Sequence, residues 1–248
     1  MSQLVHYELT DQVARITLDS SANRNALSRR LVTELFARLD QAAAADAAKV
    51  VLLGSSESVF CSGADLTEAA AGGMQQGTRT LVELQRRILA LPKPVVVRLD
   101  GPVRAGGLGI VAAADIVLAE EGVSFAFTEV RLALTPAVIS LTVLPRLTSR
   151  AAADTFLTGR SFGAAEAVAM GLVTRAVPAL SMDTAVEQVC ADLAKAPSQG
   201  LRETKALLSR PMLAHLDAHS EEMAALSARL FGSEAAAEAM TAFLDRSR

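Results

Sequence analysis

The chain has 248 residues, 51% of them hydrophobic and 21% charged, which fits a protein with a large packed core and excludes a disordered one. A formal net charge of -3 gives no general affinity for nucleic acid or for an anionic membrane surface. Cys61 and Cys190 are too few for a disulfide framework or a cysteine zinc site, no uncharged apolar run reaches membrane-spanning length, and the opening MSQLVHYELT has no signal-like pattern, so a soluble, cytoplasmic setting is expected.

Two strand candidates, 4–9 and 13–18, are joined by the turn Thr10-Asp11-Gln12. After a polar loop over 20–25, Ser28 is placed to cap a helix to about Ala45, with Leu31, Leu35 and Leu39 on one face. Residues 49–53, KVVLL, are a buried type of strand, followed by the glycine turn FCSGADL at 60–66. The stretch AAAGGMQQG at 69–77 reads as a mobile loop, and 80–91 as a helix that Pro92 and Pro94 stop. A strand over 94–99 leads to Asp100-Gly101. Residues 101–136 then hold a glycine turn, a run of small apolar residues, Asp115 before the strand-like IVLA, and a second strand-like piece at 124–127. That piece delivers one carboxylate, Glu129, among Phe125, Phe127, Val130 and Leu132.

Strand and helix alternate through this part, the pattern of an α/β layered domain. Past Ser140 the strand signal nearly vanishes, and helices are expected at 151–157, 164–170, 183–194, 201–208, 217–231 and 234–244. Pro197 and Pro211 break the later ones, and Gly159, Gly171 and Gly232 mark ends. The expected organisation is an α/β core over 1–190 and a helical region over 191–248.

Gly106 and Gly107 let backbone approach a ligand closely, and a helix starting there would aim unpaired N–H groups at it. FCSGADL could supply a second donor. Two such donors stabilise a developing oxyanion, and a carboxylate in apolar surroundings keeps a raised pKa, which together point to chemistry beside a carbonyl. On its own, Glu129 reads first as a surface residue pointing outward from a loop, or as a partner of Arg131, ahead of any catalytic role. Other motifs carry less. AGGLG at 105–109 lacks the dinucleotide fingerprint, and no phosphate-binding G-x-x-x-x-G-K-[ST] occurs. His215 and His219 read as an exposed helical pair without a third metal ligand. Ser62 has no histidine placed to activate it. Arg29, Arg30, Arg146 and Arg150 read as solvated helix ends.

Taken in order, VVLL at 50–53, FCSGADL, KPVVVRLDGPVRAGG, AAADIVLA and FTEVRLALTP resemble the crotonase (enoyl-CoA hydratase/isomerase) superfamily. The likeness runs from RNAL at Arg24 to TGRSFGAAEAVAMGLV, which ends at Val173. It implies a core of repeated ββα units forming a spiral, with a helical C-terminal region that covers the site and packs at trimer contacts. A homotrimer or a hexamer (a dimer of trimers) follows from it. It also implies an acyl-CoA thioester as substrate, backbone N–H donors at Ala64 and Gly106, and Glu129 as the catalytic carboxylate. Ala22, Asn23, Arg24 and Asn25 then match a loop that meets the nucleotide part of CoA, with Arg24 offering charge to a phosphate. Ala64, Asp65 and Leu66 match the turn lining the pantetheine and adenine end, with Asp65 read as a cap and Asp115 as structural. No metal, flavin or nicotinamide is implied, because the thioester is the activating group.

One departure stands out. Typical hydratases carry a second glutamate three residues after the oxyanion glycine, where this chain has Gly109. Gly109→Glu is expected to restore it, provided the backbone admits a side chain there. E-V-R-L and P-A-V-I-S are similar to the branch containing methylglutaconyl-CoA hydratases. The leading expectation is a hydratase of fatty-acid or branched-chain metabolism, adding water across C2–C3 of a 2-enoyl-CoA. The alternatives are an enoyl-CoA isomerase using one glutamate and a catalytically weak acyl-CoA-binding homologue.

Overall fold

The computed structural model describes residues 3–70 and 74–246. Asp11 and Gln12 take φ of 51° and 66°, the left-handed pair of a tight hairpin turn. Strands β1 (Val5–Thr10) and β2 (Val13–Leu18) therefore pair antiparallel, with Thr10 opposite Val13. From β2 onward the sheet is parallel, which requires crossovers. Ser28 Oγ accepts the Leu31 N–H and starts α1 (Arg29–Ala44), whose Leu31, Leu35 and Leu39 are fully buried. That helix carries the chain to β3 (Val50–Ser55). Helices α2 (Leu66–Ala70) and α3 (Met74–Ala90) lead on to β4 (Val95–Leu99). The short β5 (Val103–Arg104) and α4 (Gly106–Ala113) precede β6 (Ile116–Glu120).

After β7 (Ser124–Ala126) come a 3-10 helix at Glu129–Leu132, α5 (Ala137–Val143), α6 (Ser149–Thr158), β8 (Ser161–Gly163), α7 (Ala164–Met170) and β9 (Arg175–Val177). The large sheet has the order β1-β2-β3-β4-β6-β9, and a smaller one the order β5-β7-β8. Bridges Leu27–Ala64 and Cys61–Val103 extend the smaller layer toward the N-terminus. Each pass of the chain thus lays one strand in the large sheet and a shorter segment in the second layer, as in β4 then β5 and β6 then β7. This is the expected ββα spiral.

Strands buried on both faces read as continuous Val and Leu. Val51, Leu53, Val95, Val97 and Leu99 face the main core with Leu31, Leu35, Leu84, Ile88 and Ile110. Val50, Leu52, Val96 and Leu118 face the other side, covered by Met182, Val186 and Cys190 of α8 (Met182–Ala194). Residue 190 lies inside that helix. Beyond it, α9 (Ser198–Phe231) lies along α3 and α5, and α10 (Glu234–Arg246) packs on the 3-10 helix that begins with Glu129.

Four expectations change. The loop at 69–77 is helical on both sides, with α2 ending at Ala70 and α3 beginning at Met74; residues 71–73 lie outside the described ones. The strand signal does not end at Ser140, because β8 and β9 follow; each is three residues long, too short to show period-two patterning. Pro211 sits inside α9 and does not end it. A proline inside a helix costs about 3 kcal/mol or more, which the packing of a 34-residue helix against α3 and α5 offsets here. Arg146 is no solvated helix end: its guanidinium donates to the Ala112 and Ala114 carbonyls at 3.0 Å each and so closes the C-terminus of α4. Burial lowers its pKa.

Candidate active site

Parallel neighbours release their loops at the same edge, where ligands of such layers collect. Cys61 lies beside Val103, and Val103 beside Phe125, all parallel. Three residues past Cys61 is Ala64, three past Val103 is Gly106, and four past Phe125 is Glu129. The register of the small layer alone therefore brings the three expected catalytic positions to one edge.

Gly106 is the first residue of α4, so its N–H has no partner within the helix. Before it, Ala105 takes φ 44° and ψ -118°, strained for a residue with a side chain. Ala105 is held there by its N–H on the Ala126 carbonyl at 3.2 Å and by its own carbonyl accepting from Leu108 at 2.9 Å. The Ala64 nitrogen lies 3.9 Å from the point a Cβ on Gly106 would occupy, while Leu27 Cδ1 and Leu81 Cδ2 lie 3.0 and 3.3 Å from that point. The two backbone amides thus adjoin each other under an apolar wall. Gly63, at φ 98°, turns the chain into Ala64, and its carbonyl accepts the Leu27 N–H at 2.8 Å.

Glu129 lies three residues past the end of β7, after Phe127 and Thr128. Phe127 anchors the approach: it is fully buried, with ring centroids 4.6 Å from Phe156 and 5.8 Å from Phe162. Glu129 as a residue is half-buried, yet its Oε2 is enclosed with no hydrogen-bond partner. Burial pushes the carboxyl up from 4.5 to about 7, opposed by its own backbone N–H. Such a group exchanges protons near neutrality. Glu129 makes no ion pair with Arg131 among the described residues.

The remaining positions divide. Asp65 Oδ1 accepts the Thr67 and Glu68 N–H groups at 3.0 and 3.2 Å, and Oδ2 accepts from Asn23 Nδ2 at 3.1 Å. It caps α2 and ties that turn to the 20–25 loop. Asn25 is a correction: its side chain is fully buried, accepting the Ser20 N–H and donating to Ser55 Oγ and the Val59 carbonyl, so it anchors the loop and offers nothing outward. Ala22 and Arg24 are exposed on the same loop, Arg24 with φ 55°, and Leu66 is half-buried at the start of α2. Asp115 Oδ2 accepts from Val95 N–H and Lys205 Nζ, a structural role. Ser62 Oγ donates to the Asn23 carbonyl at 3.1 Å. The neighbouring Cys61 thiol is pushed up to about 12 by burial, too high for a thiolate nucleophile. His215 and His219 pack ring against ring at 4.7 Å, and no cluster of three metal-ligating side chains occurs among the described residues.

Position 109 is closed. Gly109 does not take a positive φ, but a Cβ there would meet Ile139 Cγ2 at 2.8 Å and Gln85 Oε1 at 3.0 Å. Gly109→Glu therefore cannot be accommodated as it stands, and the expectation that it restores a second carboxylate is withdrawn. Gln85 went unnoticed in the sequence. Its signal was legible, because it interrupts the apolar row Leu81, Val82, Ile88 and Leu89 of α3.

Residues 8–248 match the family profile described as Enoyl-CoA hydratase/isomerase. The chain superposes on the crystal structure of an enoyl-CoA hydratase from Mycobacterium avium with a TM-score of 0.93 and 42% identity, covering 99% of this chain and 98% of that one. A Rhodobacter capsulatus protein named "Probable enoyl-CoA hydratase" is 34% identical over 236 residues, 92% of this chain and 88% of its own length. The Rattus norvegicus "Enoyl-CoA delta isomerase 2" is 28% identical over 242 residues, 94% of this chain and 61% of the rat protein. With the spiral core, the adjoining amides and the enclosed carboxylate in one register, the chain belongs to the enoyl-CoA hydratase/isomerase family, the crotonase superfamily.

Proposed function

We propose that the protein is an enoyl-CoA hydratase in which Glu129 alone moves protons. The observation that carries this is the enclosed, unpartnered Glu129 Oε2, on a carboxyl that titrates at about 7, at the same edge as the adjoining Ala64 and Gly106 amides. As the water oxygen bonds to C3, the C2–C3 π electrons pass into the thioester and its oxygen becomes an enolate, held by the Ala64 and Gly106 amides. Glu129 accepts the proton that water loses and returns a proton to C2 as the enolate collapses. One O–H and one π bond break, one C–O and one C–H bond form, and Glu129 ends ionised. Each amide of this kind typically stabilises the transition state by ~2.7–4 kcal/mol.

Arg24, exposed at the loop corner, is proposed to meet the CoA phosphates, with Ala22 beside it and Ala64, Asp65 and Leu66 along the pantetheine. A homotrimer or hexamer is proposed as well, supported by the exposed Leu144, Leu157, Leu207 and Leu208. A light-scattering mass of three or six times 25.9 kDa is expected, and a mass near 25.9 kDa at micromolar concentration rejects it. The free thiols of Cys61 and Cys190 favour a cytoplasmic setting.

The closed position 109 favours a second reading, an isomerase in which Glu129 takes a proton from C2 of a 3-enoyl-CoA and returns one to C4. Turnover of straight, branched and 3-enoyl thioesters in H2(18)O separates the two. Hydration places the label at C3, with a kcat/KM that falls below an apparent pKa near 7 as Glu129 takes up its proton. Unlabelled 2-enoyl product from 3-enoyl-CoA assigns the isomerase instead. Binding without turnover of any thioester assigns an acyl-CoA-binding homologue.

A further inference from the structure

We propose that Gln85 is the residue that sets which reaction the site performs, by filling with a neutral carboxamide the volume beside Gly109 that a second proton-carrying side chain would need. The inference rests on the proposed enoyl-CoA chemistry. On α3, Leu81 and Gln85 are one turn apart, and they face Gly106 and Gly109, one turn apart on α4. Leu81 Cδ2 lies 3.3 Å from a Cβ on Gly106, and Gln85 Oε1 lies 3.0 Å from a Cβ on Gly109. Gln85 therefore sits beside α4 about one helical turn, roughly 5 Å, along from Gly106, at the position where a side chain on residue 109 would begin.

Gln85 is fully buried and fully used. Its Oε1 accepts from Thr142 Oγ1 at 2.6 Å, and its Nε2 donates to the Leu81 carbonyl at 3.1 Å and the Val138 carbonyl at 3.4 Å. Thr142 is itself fully buried. An amide so fixed neither gives nor takes a proton at neutral pH, and with Ile139 it excludes water from the volume. Glu129 is left as the single carrier. A carboxylic acid at residue 85 occupies the same space: one oxygen accepts from Thr142, and the protonated oxygen donates to the Leu81 carbonyl.

The test compares Gln85→Glu with wild type by 18O incorporation and by pH profile. Gln85→Glu is expected to raise hydration relative to isomerisation by at least about tenfold, the low end of what a positioned acid or base supplies being higher still. Its kcat/KM profile should gain a second ionisation, with KM within a few-fold of wild type. Gln85→Ala, which empties the volume, provides an independent arm: added formate should raise its hydration saturably and leave wild type unaffected. An unchanged partition and a single ionisation in Gln85→Glu, or no formate response in Gln85→Ala where Gln85→Glu does not fold, would reduce Gln85 to a link between helices and overturn the inference. Failure of wild type to turn over any enoyl-CoA overturns the proposed function itself, a result read before either variant is made.

Discussion

Glu129→Gln is expected to lower turnover by about 100- to 10,000-fold, because the amide keeps the shape of the carboxylate and cannot exchange a proton. Acyl-CoA affinity should stay within a few-fold, since the amides of Ala64 and Gly106 and the exposed Arg24 are untouched. The same substitution should stabilise the fold at alkaline pH. Burial raises the Glu129 carboxyl from 4.5 to about 7 in the folded chain. Between those values the folded chain holds a proton that the unfolded chain has released, so stability falls as pH rises through the window and stays reduced above it. The shift corresponds to roughly 3 kcal/mol at pH 8, and glutamine carries none of it. The variant should therefore melt several degrees above wild type at pH 8 and level with it at pH 4. Steady-state rates and thermal melts at the two pH values check both halves. Activity above about a tenth of wild type would sink the single-carboxylate mechanism, and a lower melting point at pH 8 would show that Glu129 is not held against its solvation.

Much of the site was readable because it is written in short segments at fixed offsets. FCSGADL, AGG and FTEV each follow a strand-like piece, and parallel register turns equal offsets along the chain into proximity in space. Helix α1 was legible for the same reason: Leu31, Leu35 and Leu39 repeat on one face. What escaped depends on contacts between segments far apart in sequence. Arg146 looks like a helix-end cation until the open carbonyls of Ala112 and Ala114 are placed beside it. Asn25 looks like a polar loop residue until Ser55 and Val59 enclose it. Pro211 obeys its local rule and loses to tertiary packing, and Gly109 reads as open space until Gln85 and Ile139 occupy it.

Lys205→Met is expected to destabilise the protein by about 3–5 kcal/mol, the usual cost of stranding one partner of a buried ion pair. Lys205 is 3% exposed, and its Nζ donates to the Ile88 carbonyl at 2.9 Å, the Lys93 carbonyl at 3.1 Å and Asp115 Oδ2 at 2.7 Å. Asp115 Oδ2 also takes the Val95 N–H at 2.7 Å. Burial lowers the pKa of Lys205, and Asp115 opposes the shift. One ammonium thus pins α9 to the end of α3 and to the starts of β4 and β6. Methionine leaves two carbonyls without a donor and Asp115 with only the Val95 amide and the more distant charge of Arg146. Asp115→Asn in the Lys205→Met background should recover part of the loss, because it removes the unpaired charge and keeps an acceptor for Val95. The consequence reaches the site, since α9 leads into α10, which packs on the 3-10 helix opening with Glu129. Urea unfolding of the two single variants and the pair gives the coupling energy. A Lys205→Met loss below about 1 kcal/mol, or no recovery in the pair, would mean that α9 is held to the core by its apolar contacts with α3 and α5 alone.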